Sequence, residues 1–423
     1  MKKRIAMLCF LFSTVGLLFA GGTQESGEKE IKLTIAGRDG AYGEAMQMAA
    51  DAYHEKHPEV SFEVLKLSGS SLFEKTVIDM RSETGTYDVI LIDDPNATQF
   101  LEVNWLANLD ELYKQAGVSI DSDFIEPTLR LGRYPYTANG TLYALPFAGN
   151  VELFAYRTDL FAKYGLQEPQ TWSQVLTAVK TIDKNEPSLD GVVFRGVKGN
   201  PIVTGFLPIF WAFGGKILDA DGNVTINSPE GLNALHYFLE LSKYAPEGVS
   251  MYQSAQVKDA IYSGKAAIAT EVWPGWIGDL ENPEKSSVVG KVKVIKHPGE
   301  VEKSSPMIGV WLAGIPKASK HQQAAFDFLR FLTSYDMQVA MSDSVGLPPT
   351  RSEVYKLASQ QAKYPWYPAQ LDALRSGVAR TRTTKWKEVE DQLGTVLQFA
   401  LMGNISAEQA LAEAEKGITN ILK

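Results

Sequence analysis

Tyr143-Ala-Leu-Pro-Phe-Ala-Gly-Asn-Val-Glu-Leu-Phe-Ala-Tyr-Arg-Thr-Asp-Leu-Phe161 runs as an apolar strand, a Leu-Pro break and a second apolar strand. It ends at Asp159, a residue type that caps helices. A complete α/β unit lies upstream and another begins downstream, so the chain passes here from one lobe to a second. Length agrees: 423 residues exceed the ~250–300 at which a single core stops growing. A 45% hydrophobic, 10% aromatic composition supports packed cores and argues against disorder.

Upstream of the quoted stretch, Ile31-Lys-Leu-Thr-Ile-Ala36 alternates as a strand and meets a turn at Arg38-Asp39-Gly40. Met46, Ala49, Ala50 and Tyr53 follow at helical spacing, and Pro58 marks the helix end. Val60–Leu65 is a second strand ending in Ser68-Gly69-Ser70-Ser71, and Tyr87–Ile92 a third closed by Asp93-Asp94-Pro95. Strand, helix, strand, helix, strand at this spacing means parallel pairing with right-handed crossovers. Ligands of open parallel sheets bind outside the strands' carboxyl ends. Three neighbouring ends carry Arg38/Asp39, Ser70 and Asp93/Asp94, all able to hydrogen-bond a small solute. Each cluster alone reads as ordinary turn chemistry; their coincidence points to a site.

The N-terminus has a basic Lys2-Lys-Arg4, an apolar Ile5–Phe19 and small residues at Ala20-Gly21-Gly22. That is the form of a secretory signal peptide, residues 1–22, and the apolar run falls short of the ~20 residues of a spanning helix. The only cysteine, Cys9, lies inside this segment, so the mature chain is expected to hold no disulfide or thiolate site and no lipid anchor. Losing Lys2, Lys3 and Arg4 takes three positive charges from a formal net charge of −9, leaving −12. Such an acidic protein is a poor partner for nucleic acid or anionic membranes, and a neutral or cationic solute suits it better.

Gly85-Thr-Tyr-Asp-Val-Ile-Leu-Ile-Asp-Asp94 with the Asn104–Leu112 segment, the hinge stretch, and Asp159–Trp172 resemble the bacterial extracellular solute-binding proteins of ABC importers, the sugar-type receptors. The resemblance covers nearly all of the mature chain. It implies a two-lobed α/β fold of the periplasmic-binding-protein type II, each lobe a mainly parallel sheet flanked by helices, with a hinge of several crossings near 143–147, before Gly309 and near 346–349. Lobe 1 is expected over 30–143 with 299–345, and lobe 2 over 147–298 with 347–423. It also implies a monomeric periplasmic or extracellular receptor with no cofactor, which hands a sugar to an ABC permease. Asp94, and more weakly Asp93, inherit the acceptor of sugar hydroxyls; Arg351, in Gly346-Leu-Pro-Pro-Thr-Arg351, inherits a cleft-facing arginine. Asn150 in the hinge joins the polar set.

Tryptophan is usually buried at least in part, so packing is the default for each. Trp273 and Trp276 follow the small-residue strand Ala266–Thr270 and are split by Pro-Gly, a turn where rings face a cleft. Trp311 begins the return strand, and Trp211 lies in an aromatic cluster. Indoles suit sugars because they cover apolar C–H faces and leave hydroxyls to polar partners. Acidic residues with a tryptophan cage would also suit a polyamine or quaternary amine. A secreted glycosidase would need Asp94 paired across the lobes with Glu152 or Glu271, since Asp93 and Asp94 are adjacent and cannot straddle a bond. His54 and His57 lack zinc-site spacing, and no phosphate loop or nucleophile elbow occurs.

Overall fold

A computed structural model describes residues 30–423; the signal-peptide and lipid-anchor expectations fall on residues outside this range. Among the described residues ten strands occur in chain order: β1 (Ile31–Arg38), β2 (Val60–Leu67), β3 (Val89–Asp93), β4 (Arg133–Tyr134), β5 (Thr141–Leu142), β6 (Ala144–Ala148), β7 (Leu153–Arg157), β8 (Ile268–Val272), β9 (Val292–Ile295) and β10 (Trp311–Gly314). The first lobe is built on a sheet of order β2-β1-β3-β10-β6. β1 pairs parallel with β2 and β3, while β10 inserts antiparallel between β3 and β6. β4 and β5 form a separate hairpin. In the second lobe β7 is flanked antiparallel by β8 and β9. The segment around 190–193 bridges β8 in parallel. The second sheet is therefore mixed, not mainly parallel: the hinge feeds β7 in one direction, and neighbours from later chain return against it.

Helices cover the sheets where periodicity places them. Helix Ala41–Lys56 buries Met46, Ala49, Ala50 and Tyr53. Helix Trp172–Asn185 starts on a capping box between Thr171 and Gln174, and helix Pro229–Ser242 on a Ser228 cap with an N1 proline. Asp159 sits inside the first turn of helix Thr158–Lys163, where it accepts both guanidinium bonds of Arg157 at 2.7 and 2.6 Å. That pairing holds its carboxyl below the usual range.

The hinge departs from the expected boundaries. β6 belongs to the first sheet, so the chain crosses at 149–152, after Phe147 and not at 143–147. Residues 299–302 still belong to the second lobe, because Trp172 N–H donates to the Gly299 carbonyl and Glu302 N–H to that of Ala212. The return crossing lies at 306–310. The third crossing comes after helix Tyr367–Ser376 and not at 346–349. Val151 bridges Ile308, and Met307 bridges Val378, so the three crossings lie side by side as one ribbon. Beyond it, helices Trp386–Leu401 and Ala407–Leu422 pack on helices Asn200–Ala212 and Pro229–Ser242 of the second lobe. Gly149 lets the first crossing lie against the Pro348-Pro349 backbone: a Cβ there would stand 2.1 Å from the Pro349 carbonyl oxygen.

Arg351 lies inside the first lobe and not at a crossing. Its guanidinium lies 3.6 Å from the Phe124 ring centroid, donates to the Thr333 carbonyl at 2.8 Å and pairs with Asp121 at 2.7 Å. It is only 2% exposed and does not face the cleft, so the ligand role inherited from the resemblance is withdrawn. Arg351→Met should cost about 1.5–3 kcal/mol of stability, as for a hydrogen bond to a charged group. Urea unfolding measures this; calorimetric titration should find ligand affinity unchanged.

Candidate functional site

The sheet registers bring the polar strand ends together. Arg38 ends β1 and Asp93 ends β3; Trp311, the first residue of antiparallel β10, pairs with Asp93 on one side and Ala148 on the other. Asn150 follows β6 in the first crossing. From the opposite lobe, Trp273 follows β8, and Arg195 follows the segment that runs parallel to it. These residues, with Tyr42, Trp276 and Arg380, line one cleft of about 560 Å³. It sits at the carboxyl ends of parallel strands, where open α/β sheets bind ligands.

Each group has a definite environment. Tyr42 packs on Trp311 with ring centroids 5.2 Å apart and accepts a hydrogen bond from the Asn150 amide; burial pushes its hydroxyl up to about 12. The Arg38 guanidinium lies 5.6 Å from the Trp311 centroid and is held by Asp39 at 2.8 Å. Burial raises the Asp93 carboxyl to about 6, against the pull of Arg380. The Trp273 indole N–H donates to Glu271 at 3.1 Å. Glu271 also pairs with Arg195, which donates to Thr204 at 2.6 Å. The Trp273 ring lies on the Gly309 backbone, where a Cβ would stand 2.7 Å from the ring; only glycine permits that approach. Arg380 is 5% exposed and its Nε has no hydrogen-bond partner.

A model of the family described as bacterial extracellular solute-binding protein matches residues 38–339. The chain belongs to this family. This solute-binding protein is 26% identical over 404 residues to a mannitol-binding protein of Pseudomonas aeruginosa, spanning 89% of this chain and 90% of that one. Among solved structures, the maltose-bound MalE3 of T. maritima superposes with a TM-score of 0.78 at 28% identity, over 92% of this chain and 99% of its own. A Thermotoga lettingae solute-binding protein bound to α-D-tagatose gives 0.75 at 25%, over 93% and 100%. The fold is the two-lobed type II binding-protein fold.

Six residues chosen from the sequence line the cleft of the solute-binding protein: Arg38, Asp93, Asn150, Trp273, Trp276 and Trp311. Five do not. Asp39 is exposed beside Arg38, and Ser70 lines an adjoining cavity. Trp211 is packed against the second-lobe core, and Arg351 is bound inside the first lobe. Asp94 is fully buried: its carboxylate pairs with Arg382 and lies 3.9 Å from Arg380. It ties the third crossing to the first sheet and has no exposed surface, whereas its neighbour Asp93 lines the cleft. Tyr42, Arg195 and Arg380 were not foreseen. The alternation Arg380-Thr-Arg-Thr after Gly377 was the available sign of an extended crossing with side chains on two faces. Among the described residues no group of His, Cys, Asp and Glu is arranged to hold a metal ion, and no helix is long and apolar enough to cross a membrane.

Proposed function

We propose that this protein is an extracytoplasmic receptor that captures an uncharged sugar or polyol between its lobes and, as a monomer, delivers it to an ABC permease. The observation that carries this reading is the pairing of indoles and unspent polar groups in one cleft. Trp273, Trp276 and Trp311 offer apolar faces; Asp93 accepts hydrogen bonds from hydroxyls, and Arg380 and Asn150 donate them. The names of the relatives, for mannitol, maltose and tagatose, support it.

Charge argues against the cationic ligand. Arg38, Arg195 and Arg380 face the cleft against the single carboxylate of Asp93, a poor cage for an amine despite the acidic net charge. The glycosidase reading needs Asp94 with Glu152 or Glu271, and all three are fully buried, out of reach of a glycosidic bond.

A thermal-shift panel of neutral sugars, polyols and polyamines tests the proposal. A ligand at ~100 times its Kd adds about 2.7 kcal/mol to stability. A neutral carbohydrate should raise the melting temperature with little dependence on salt. A shift given only by a polyamine and abolished by salt would overturn the reading. Trp273→Ala should weaken the responding carbohydrate by about 1.5–3 kcal/mol, the value of one buried apolar side chain, measured by calorimetric titration.

A further inference from the structure

Gly309 stands where the return crossing meets the cleft, and the half-buried Trp273 ring of the second lobe lies against its backbone. We infer that Gly309 is a positioning residue for ligand binding: with no side chain of its own, it fixes from the hinge where the indole of Trp273 stands. The inference rests on the carbohydrate reading of the cleft and adds the element that sets its stacking surface.

The indole is held at both of its ends. At the five-membered ring, Nε1–H donates to Glu271 at 3.1 Å, and Glu271 is itself fully buried and paired with Arg195. At the far edge of the six-membered ring, Cζ3 and Cη2 face Gly309, where a Cβ would stand 2.7 and 3.0 Å from them. Carbon atoms in contact rest at about 3.5–4.0 Å, so a methyl group there would push the ring edge back by about 1 Å. The next nearest atom is Nη2 of Arg380 at 3.8 Å, an ordinary contact. The backbone is not free to give way in place of the ring. Gly309 N–H donates to the Asn150 carbonyl at 3.0 Å and Ile308 N–H to that of Val378 at 3.0 Å, so this strip is held between the other two crossings. The Asn150 amide in turn donates to Tyr42, which packs on Trp311. One rung of the hinge therefore carries a line of contacts to each of these two cleft indoles, and their spacing is set by the crossings and not by either lobe alone. Glycine serves here for space and not for a left-handed backbone, since its φ lies outside that region.

Gly309→Ala, Trp273→Phe and the double variant of the mature protein test this in two ways. In proton–nitrogen NMR spectra the Trp273 indole N–H is the signal that Trp273→Phe removes, and Gly309→Ala should move it furthest of the indole signals. In calorimetric titration with mannitol, maltose and D-tagatose, Gly309→Ala should weaken the sugar that binds by about tenfold, the lower end of the loss expected on removing the ring. Phenylalanine keeps an aromatic face but ends short of Gly309, so in the Trp273→Phe background the same alanine should change affinity by less than about twofold. Urea unfolding should find Gly309→Ala as stable as the wild type, because alanine meets no backbone strain there. An unmoved Trp273 signal, an affinity that Gly309→Ala leaves unchanged, or an equal loss with tryptophan and with phenylalanine at 273 would overturn the positioning role and leave carbohydrate binding standing. A loss of stability in Gly309→Ala would overturn it too, because the hinge ribbon and not the ring would then have given way. A moved signal with no heat from any of the three sugars would overturn the carbohydrate reading and leave the placement of the ring by Gly309 standing.

Discussion

Asp94→Ala is expected to destabilise the protein by about 3–5 kcal/mol, the cost of removing one partner from a buried ion pair. The carboxylate is fully buried, Arg380 is 5% exposed, and Arg382 packs 4.9 Å from the Tyr136 ring centroid while also donating to the Asp94 carbonyl at 3.0 Å. Without the carboxylate two guanidiniums crowd the end of β3 with only the Asp93 carboxyl near them, itself held partly neutral by burial. The third crossing, which carries both arginines, then loses its tie to the first lobe. Urea unfolding with linear extrapolation reads the loss. Arg382→Met made together with Asp94→Ala should recover part of it, because one stranded charge is gone. Wild-type stability with lost ligand affinity would return Asp94 to the ligand-contacting role that its sequence pattern suggested.

The contrast between Asp93 and Asp94 shows what the sequence makes legible. Strand ends are readable because alternation and turn residues are local, and both carboxylates were placed correctly at the end of β3. Which of two adjacent side chains faces the ligand depends on the strand's pleat and on what lies behind it, here arginines almost 290 positions later. Trp311 was legible for the opposite reason. It stands at the first position of a short apolar return strand, and because β10 runs antiparallel to β3 that end meets the cleft beside Asp93. Trp386 shows the limit: a tryptophan opening an amphipathic helix reads as core, and it is core. Its second surface, toward the first lobe, exists only because the third crossing carries that helix beneath helix Gly69–Ser82. Moving the crossing from 346–349 to 377–385 changed the assignment of Arg351 and Arg380 together. One was read as the cleft arginine and is structural; the other was unread and faces the cleft.

Two neighbouring glutamates should respond oppositely to the same substitution. Glu271→Gln is expected to cost about 3–5 kcal/mol, because Arg195, 8% exposed, loses its counter-charge inside the second lobe. Trp273 can still donate to the glutamine oxygen, so the loss should appear in stability more than in ring placement. Glu152 lies in the first crossing, fully buried, and neither of its oxygens has a hydrogen-bond partner. Burial first, and then the negative charge of Glu271, raise its carboxyl well above the usual range, against the opposing pull of Arg195 and Arg380. The folded state therefore keeps a proton that the unfolded chain releases near pH 4.3. Stability from this group is complete below that pH and is lost as pH rises through the folded value. Glutamine is neutral throughout and nearly the same shape as the protonated acid, so Glu152→Gln should match the wild type in acid and exceed it increasingly above. Urea unfolding of both proteins at a series of pH values decides it. A Glu152→Gln variant that is less stable than wild type at neutral pH would mean that the ionised carboxylate is the favoured form, and that Glu152 rather than Glu271 is the counter-charge the buried arginines depend on.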